Sequence, residues 1–246
     1  LLVSVANATE ARDAVDGGAD LIDVKDPLKG ALGAVSLSAL HQIHAAVAGR
    51  RVVTAALGDA DHETTIERVA GEYAATGVRF VKIGFAGISS SARVGGLIAA
   101  AVRGVRATDC GVVAVAYADT GGTTSVDRSA LIEAAAGAGA AGVLLDTQHK
   151  EGSGLLGLVS PDELAAWVAT AHERGLMVAL AGRLTANHFP LVADTRADIV
   201  GVRGAACASG RSGPVVASRI RALKSALHSD AHASLAGLSA VLKSFA

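Results

Sequence analysis

Five charged side chains stand at or near the ends of short runs of β-branched and aliphatic residues. Asp23 and Lys25 close the run Leu21 to Lys25, Lys82 lies in Phe80 to Gly84, Asp146 ends Gly142 to Asp146, and Arg203 ends Ile199 to Arg203. Side chains alternate between the two faces of a strand. Ile22 and Val24, Val81 and Ile83, Val143 and Leu145, and Val200 and Val202 therefore share a face that suits helix packing. The five charged residues fall on the opposite face. One charged residue at a strand end is ordinarily solvated where the loop begins. Two lysines with two carboxylates on one interior are a different matter, because a buried ammonium is costly unless a carboxylate accompanies it. Repulsion and desolvation lower the pKa of at least one such lysine. A neutral lysine amine attacks aldehydes and ketones to form a Schiff base. The second lysine and a carboxylate can then move protons, which is the equipment of a class I aldolase-type enzyme.

The elements that must position these groups are eight short apolar runs: Leu1 to Val5, Leu21 to Lys25, Arg51 to Leu57, Phe80 to Gly84, Val112 to Tyr117, Gly142 to Asp146, Met177 to Ala181 and Ile199 to Arg203. Ala-rich stretches of helical period and other helix-suited segments, Thr185 to Val192 and Pro214 to Leu227 among them, separate the runs, with Ser36, Ser160-Pro161 followed by Glu163, and Pro214 as helix starts. Gly18, Gly77 and Gly139 precede strands, where a left-handed residue ends a helix and turns the chain. Eight βα units on a chain of 246 residues predict an α/β fold, a (β/α)₈ TIM barrel. Its domain spans residues 1–228, and residues 229–246 form an additional C-terminal helix with Leu235, Leu238, Val241 and Leu242 on one stripe. The charged residues then sit at the strands' C-terminal ends, where barrel enzymes place their active sites.

Small residues at the ends of strands seven and eight expose backbone N–H groups, and the loops there are where many barrels bind phosphate. Gly182 and Arg183 supply the strand-seven half, and Arg203, Gly204, Ala205 and Ala206 the strand-eight half. A glycine-rich loop by itself equally serves turn geometry.

The chain carries 22 Lys and Arg against 23 Asp and Glu, so no broad field draws it to nucleic acid or an anionic membrane. Mean hydropathy is +0.43, yet the apolar runs break well before the roughly 18 residues of a membrane span. Cys110 and Cys207 are isolated, which fits a reducing compartment and a cytoplasmic location. His41 and His44 lie three apart on a predicted helix without a third ligand, so neither a metal nor a cofactor is expected. The Gly-x-Ser-x-Gly elbow is absent, and no Gly-x-Gly-x-x-Gly turn follows the first strand.

Gly17 to Pro27, with Gly30 and Leu32-Gly33-Ala34, resembles the signature of the (5-formylfuran-3-yl)methyl phosphate synthase family. Val81 to Gly84, Tyr117-Ala118-Asp119, Leu145-Asp146-Thr147 with Lys150, and Gly201 to Cys207 match further blocks in order. The resemblance implies a lyase of methanofuran-type cofactor biosynthesis. Such an enzyme condenses two molecules of glyceraldehyde 3-phosphate into a furan aldehyde phosphate, with loss of one phosphate and two waters. Lys25 falls on the family's Schiff-base lysine and Lys82 on its acid/base lysine, while Asp23, Asp146 and Lys150 match other active-site positions. Arg183 departs from the small hydroxyl residue expected there. The partners implied are triose phosphates, and a homo-oligomer is expected. Two readings compete: a deoxyribose-phosphate-type aldolase that stops at the aldol, and a barrel that binds phosphate metabolites without catalysis.

Overall fold

A computed structural model of the chain describes residues 1–120 and 125–229. Eight parallel strands pair in chain order and close into a barrel, with the last hydrogen-bonded to the first. They are β1 (Leu2–Val5), β2 (Leu21–Val24), β3 (Val52–Asp59), β4 (Phe80–Gly84), β5 (Gly111–Tyr117), β6 (Gly142–Asp146), β7 (Met177–Leu180) and β8 (Ile199–Val202). Outside them lie α1 (Ala8–Asp16), α2 (Leu37–Val47), α3 (Glu63–Ala74), α4 (Ser91–Val105), α5 (Arg128–Gly137), a short α6 (Leu155–Leu158), α7 (Pro161–Glu173), α8 (Phe189–Asp194) and α9 (Ala217–Ser229). The expected helix over 229–246 lies outside the described residues, save that α9 reaches Ser229. No helix among the described residues is long and apolar enough to cross a membrane.

Strand parity holds through the barrel. Ile22, Val24, Val81, Ile83, Val143 and Leu145 belong to the large core between strands and helices. Leu21, Phe80, Val113, Leu144, Met177 and Ile199 form a smaller core inside the barrel. On β1, β2, β4 and β6 the inward row passes from Leu2, Leu21, Phe80 and Leu144 to Ser4, Asp23, Lys82 and Asp146 toward the C-terminal end. Register sets Ser4 beside Asp23 and Asp23 beside Thr54 on three neighbouring strands.

The helix starts follow local chemistry. The Ser36 hydroxyl accepts from the Ala39 N–H, and Ser160 and Glu163 close a reciprocal capping box at α7. Gly18, Gly77 and Gly139 all adopt left-handed backbone at the helix-to-strand turns, and Arg196 does so at the turn into β8. Two boundaries differ from expectation. The helix expected from Pro214 begins at Ala217, because Ala208 N–H donates to the Pro214 carbonyl and Val216 N–H to that of Ala206, keeping the segment against the β8 loop. The helix expected from Thr185 to Val192 opens instead with a 3₁₀ turn at Ala186–His188.

Close packing of α3 on α4 depends on Gly104, where an added Cβ would lie 2.1 Å from the Glu67 carbonyl oxygen. At Gly95 on the same helix nothing stands within 4 Å of that position. Gly104→Ala is expected to destabilise the fold by about 1–3 kcal/mol through overpacking. Gly95→Ala is expected to stabilise it by up to about 1 kcal/mol through helix propensity. Urea unfolding of the two variants checks the opposite signs.

Candidate active site

A cavity of about 370 Å³ opens among the C-terminal ends of the strands, a size suited to small metabolites. Asp23, Lys25, Lys82, Asp146, Lys150 and Arg203 all line it. The first four are buried. Lys25 follows the last ladder residue of β2, and its N–H still donates to the Val5 carbonyl at 3.0 Å. That bond holds the start of the loop against β1.

Two of the lysines are paired. Lys82 Nζ forms an ion pair with Asp23 Oδ1. Asp23 also accepts from Thr54 Oγ1 at 2.8 Å and, through Oδ2, from Ser4 Oγ at 2.9 Å. Burial opposes ionisation of Asp23, but the Lys82 and Lys25 charges and the hydrogen bonds outweigh it and hold the carboxyl below its ordinary value. Lys150 Nζ meets Asp146 Oδ1 at 2.7 Å and also donates to Thr147. Asp146 is held below its ordinary value in the same way: Lys150, Lys25 and the Thr147 N–H overcome its burial. The loop that carries Lys150 is fastened by Asp119, whose carboxylate accepts from Gln148 N–H and His149 N–H, each at 2.6 Å.

Lys25 makes no ion pair or side-chain hydrogen bond among the described residues. Burial pulls its ammonium down to about 8 against the opposing fields of Asp146 and Asp23, and the charges of Lys82 and Lys150 add to the lowering. A lysine in this state carries a larger free-amine fraction near neutral pH than an exposed one, with no side-chain partner among the described residues.

The phosphate candidates divide. Gly182, Arg183, Gly204 and Ala205 line the cavity. Ala206 does not: it is fully buried and its N–H closes a 3₁₀ turn on the Arg203 carbonyl at 2.8 Å. Arg203 reaches the cavity wall, but all five of its N–H donors are engaged by protein. They go to Glu10 through two bonds of 2.9 and 3.2 Å, and to the carbonyls of Ser4, Arg211 and Gly213. Its guanidinium is therefore a clasp between β8, β1 and α1, with none of those donors left for a phosphate.

Sequence reasoning missed Ser4, Thr54, Glu10 and Arg211. The alternation that found Asp23 also turns Ser4 and Thr54 inward, so their signal was present. Glu10 and Arg211 carry none, since one lies on a helix and the other in a loop, and only closure of the barrel brings them to the site.

The family model for 4-HFC-P synthase matches residues 1–224. The chain belongs to the 4-HFC-P synthase family. The (5-formylfuran-3-yl)methyl phosphate synthase of Methanopyrus kandleri is 40% identical over 92% of this chain and 98% of its own length. The synthase of the same name from Methanocaldococcus jannaschii is 37% identical over 85% of this chain and 91% of its own. Among solved structures, 3-hexulose-6-phosphate synthase from Salmonella typhimurium superposes with a TM-score of 0.65 at 18% identity, covering 93% of this chain and 98% of that one. That likeness speaks for the barrel alone.

Two outcomes are expected from the site. Because the Lys25 ammonium loses its proton near pH 8, acylation of Lys25 by an uncharged amine-reactive reagent should rise about tenfold from pH 6 to 7 and level off above about 9. Peptide mass mapping against pH measures it; a midpoint near that of free lysine would contradict the burial account. Glu10→Ala leaves the buried Arg203 charge unpaired and should cost about 3–5 kcal/mol in chemical denaturation.

Proposed function

We propose that the chain condenses two molecules of glyceraldehyde 3-phosphate into (5-formylfuran-3-yl)methyl phosphate through an imine on Lys25. The observation that carries the reading is the unpaired Lys25 amine between two lysine–carboxylate pairs. Membership of the synthase family supplies the substrate and product.

The Lys25 Nζ lone pair adds to the aldehyde carbon of one triose, and loss of water leaves an iminium that draws electrons from the neighbouring carbon. Lys82 and Asp23, already paired as proton donor and acceptor, take the proton from that carbon to give the enamine. Lys150, oriented by the Asp146 carboxylate, protonates oxygen leaving groups as phosphate departs and the ring loses water. Joining to the second triose, ring closure and hydrolysis of the imine free the lysine. The water lost in forming the imine is regained at its hydrolysis, so two trioses give one furan, one phosphate and two waters. Aromatisation makes the sequence irreversible.

Gly182, Arg183, Gly204 and Ala205 serve the phosphates. Arg203 acts as a positioning residue through Glu10 and the β8 loop. The buried free thiols of Cys110 and Cys207 support a reducing cytoplasmic setting.

Incubation with glyceraldehyde 3-phosphate and borohydride is expected to fix a reduced adduct on Lys25, read by mass spectrometry. Without borohydride the mixture should gain the near-ultraviolet absorption of a furan aldehyde, and Lys25→Arg should abolish it, since guanidinium stays protonated. Adduct formation without that absorption would instead mark an aldolase that stops at the aldol, and labelling at another lysine would displace Lys25 from its role.

A further inference from the structure

The charges around the cavity do not balance, and the imbalance has a definite location. Lys25, Lys82, Lys150, Arg183, Arg203 and Arg211 line the space. Lys82 is neutralised by Asp23, Lys150 by Asp146, and Arg203 by Glu10. Lys25, Arg183 and Arg211 have no carboxylate within ion-pair distance among the described residues.

Arg211 is the least expected of these. It stands in the loop after β8, half-buried, and reaches across the mouth to the loop after β2. Nη1 donates to the Pro27 carbonyl at 2.6 Å and Nη2 to the Gly30 carbonyl at 2.7 Å. Two of its five N–H donors are thus used, and three remain. Its charge lies beside that of Arg203, which together with burial makes an anion welcome there. Arg183 sits at the end of β7, where one donor goes to the Gly152 carbonyl in the loop that follows Lys150. Its backbone is left-handed, with φ at 59°, a conformation costly for a residue with a side chain and one that persists where surrounding structure or function enforces it.

The reaction proposed above brings two phosphate esters into this space, each with about 1.5 to 2 negative charges near pH 7. With Lys25 committed as an amine to the imine, two guanidiniums remain for two phosphates. We infer that Arg211 and Arg183 form two separate phosphate subsites, one for each triose, with Arg211 on the β2–β8 side and Arg183 on the β6–β7 side of the cavity. The inference rests on that reaction for its substrate class. It also places each phosphate on a loop that adjoins one of the reacting lysines. Arg211 holds the segment just after Lys25, and Arg183 holds the segment just after Lys150, so occupancy of each subsite braces its neighbouring lysine.

Glycerol 3-phosphate tests this without the chemistry, because it carries the phosphate but no carbonyl for Lys25 to attack. Calorimetric titration of the full chain is expected to give two sites. Arg211→Gln should weaken one of them by roughly ten- to a hundred-fold and leave the other, and Arg183→Gln should do the converse, as loss of a charge-assisted phosphate contact predicts. The Arg183 variant carries the test by itself if Arg211→Gln does not fold. A single site in the unaltered protein overturns the inference. So does a variant that keeps both sites at full affinity, or one that weakens both equally, which would be the mark of a loop tether. Two sites in a protein that makes no furan would leave these subsites standing and remove the proposed reaction instead.

Discussion

Each ammonium buried at the top of the barrel needs a carboxylate, and the architecture provides one for Lys82 and one for Lys150 but none for Lys25. Asp23 cannot be displaced toward Lys25, because Lys82, Thr54 and Ser4 hold its two oxygens from three different strands. Asp146 is held as firmly by Lys150 and the Thr147 N–H. Both carboxylates still act on Lys25 through space, keeping its pKa from falling further, while burial and the two neighbouring lysines draw it down. Lys25 is thus the remainder after two strong pairs have formed.

The same economy governs the arginines. Arg203 is a structural cation, spent on Glu10 and on carbonyls of β1 and its own loop, and it fastens the last strand to the first turn of α1 where the barrel closes. Because it is spent, the 204–213 loop stays folded over the cavity and carries Arg211 to the loop after β2. A buried pair of this kind adds little net stability relative to an apolar substitute, but breaking it strands a charge. Its value here is positional. The loops on either side of the cavity are tied to one another through guanidinium-to-carbonyl bonds, which leave donors over.

Much of this was legible in the residues. The eight strands fall within two residues of their expected bounds at every end, since period-two alternation and flanking turn residues are local signals. The inward placement of Asp23, Lys82 and Asp146 follows from alternation alone. Pro214 and Thr185 misled as helix starts because a cap residue states only that a helix is permitted nearby; hydrogen bonds from Ala208 and Val216 postponed the first, and a 3₁₀ turn took up the second. Arg203 misled about role. Parity turned it inward, but its partner Glu10 lies 193 residues away in the chain.

The chain's local pattern by itself determined that there would be a parallel barrel, which residues would face its axis, and that two lysines and two aspartates would meet there. Which lysine is left without a partner, and which arginine is free for an anion, were decided only in the tertiary structure. Alternation is a property of neighbouring residues on one strand, whereas pairing is a competition in three dimensions among groups from β1, β2, β3, β4, β6 and the loops. Positions that only the closed barrel sets settle that competition, and no spacing along the chain encodes them.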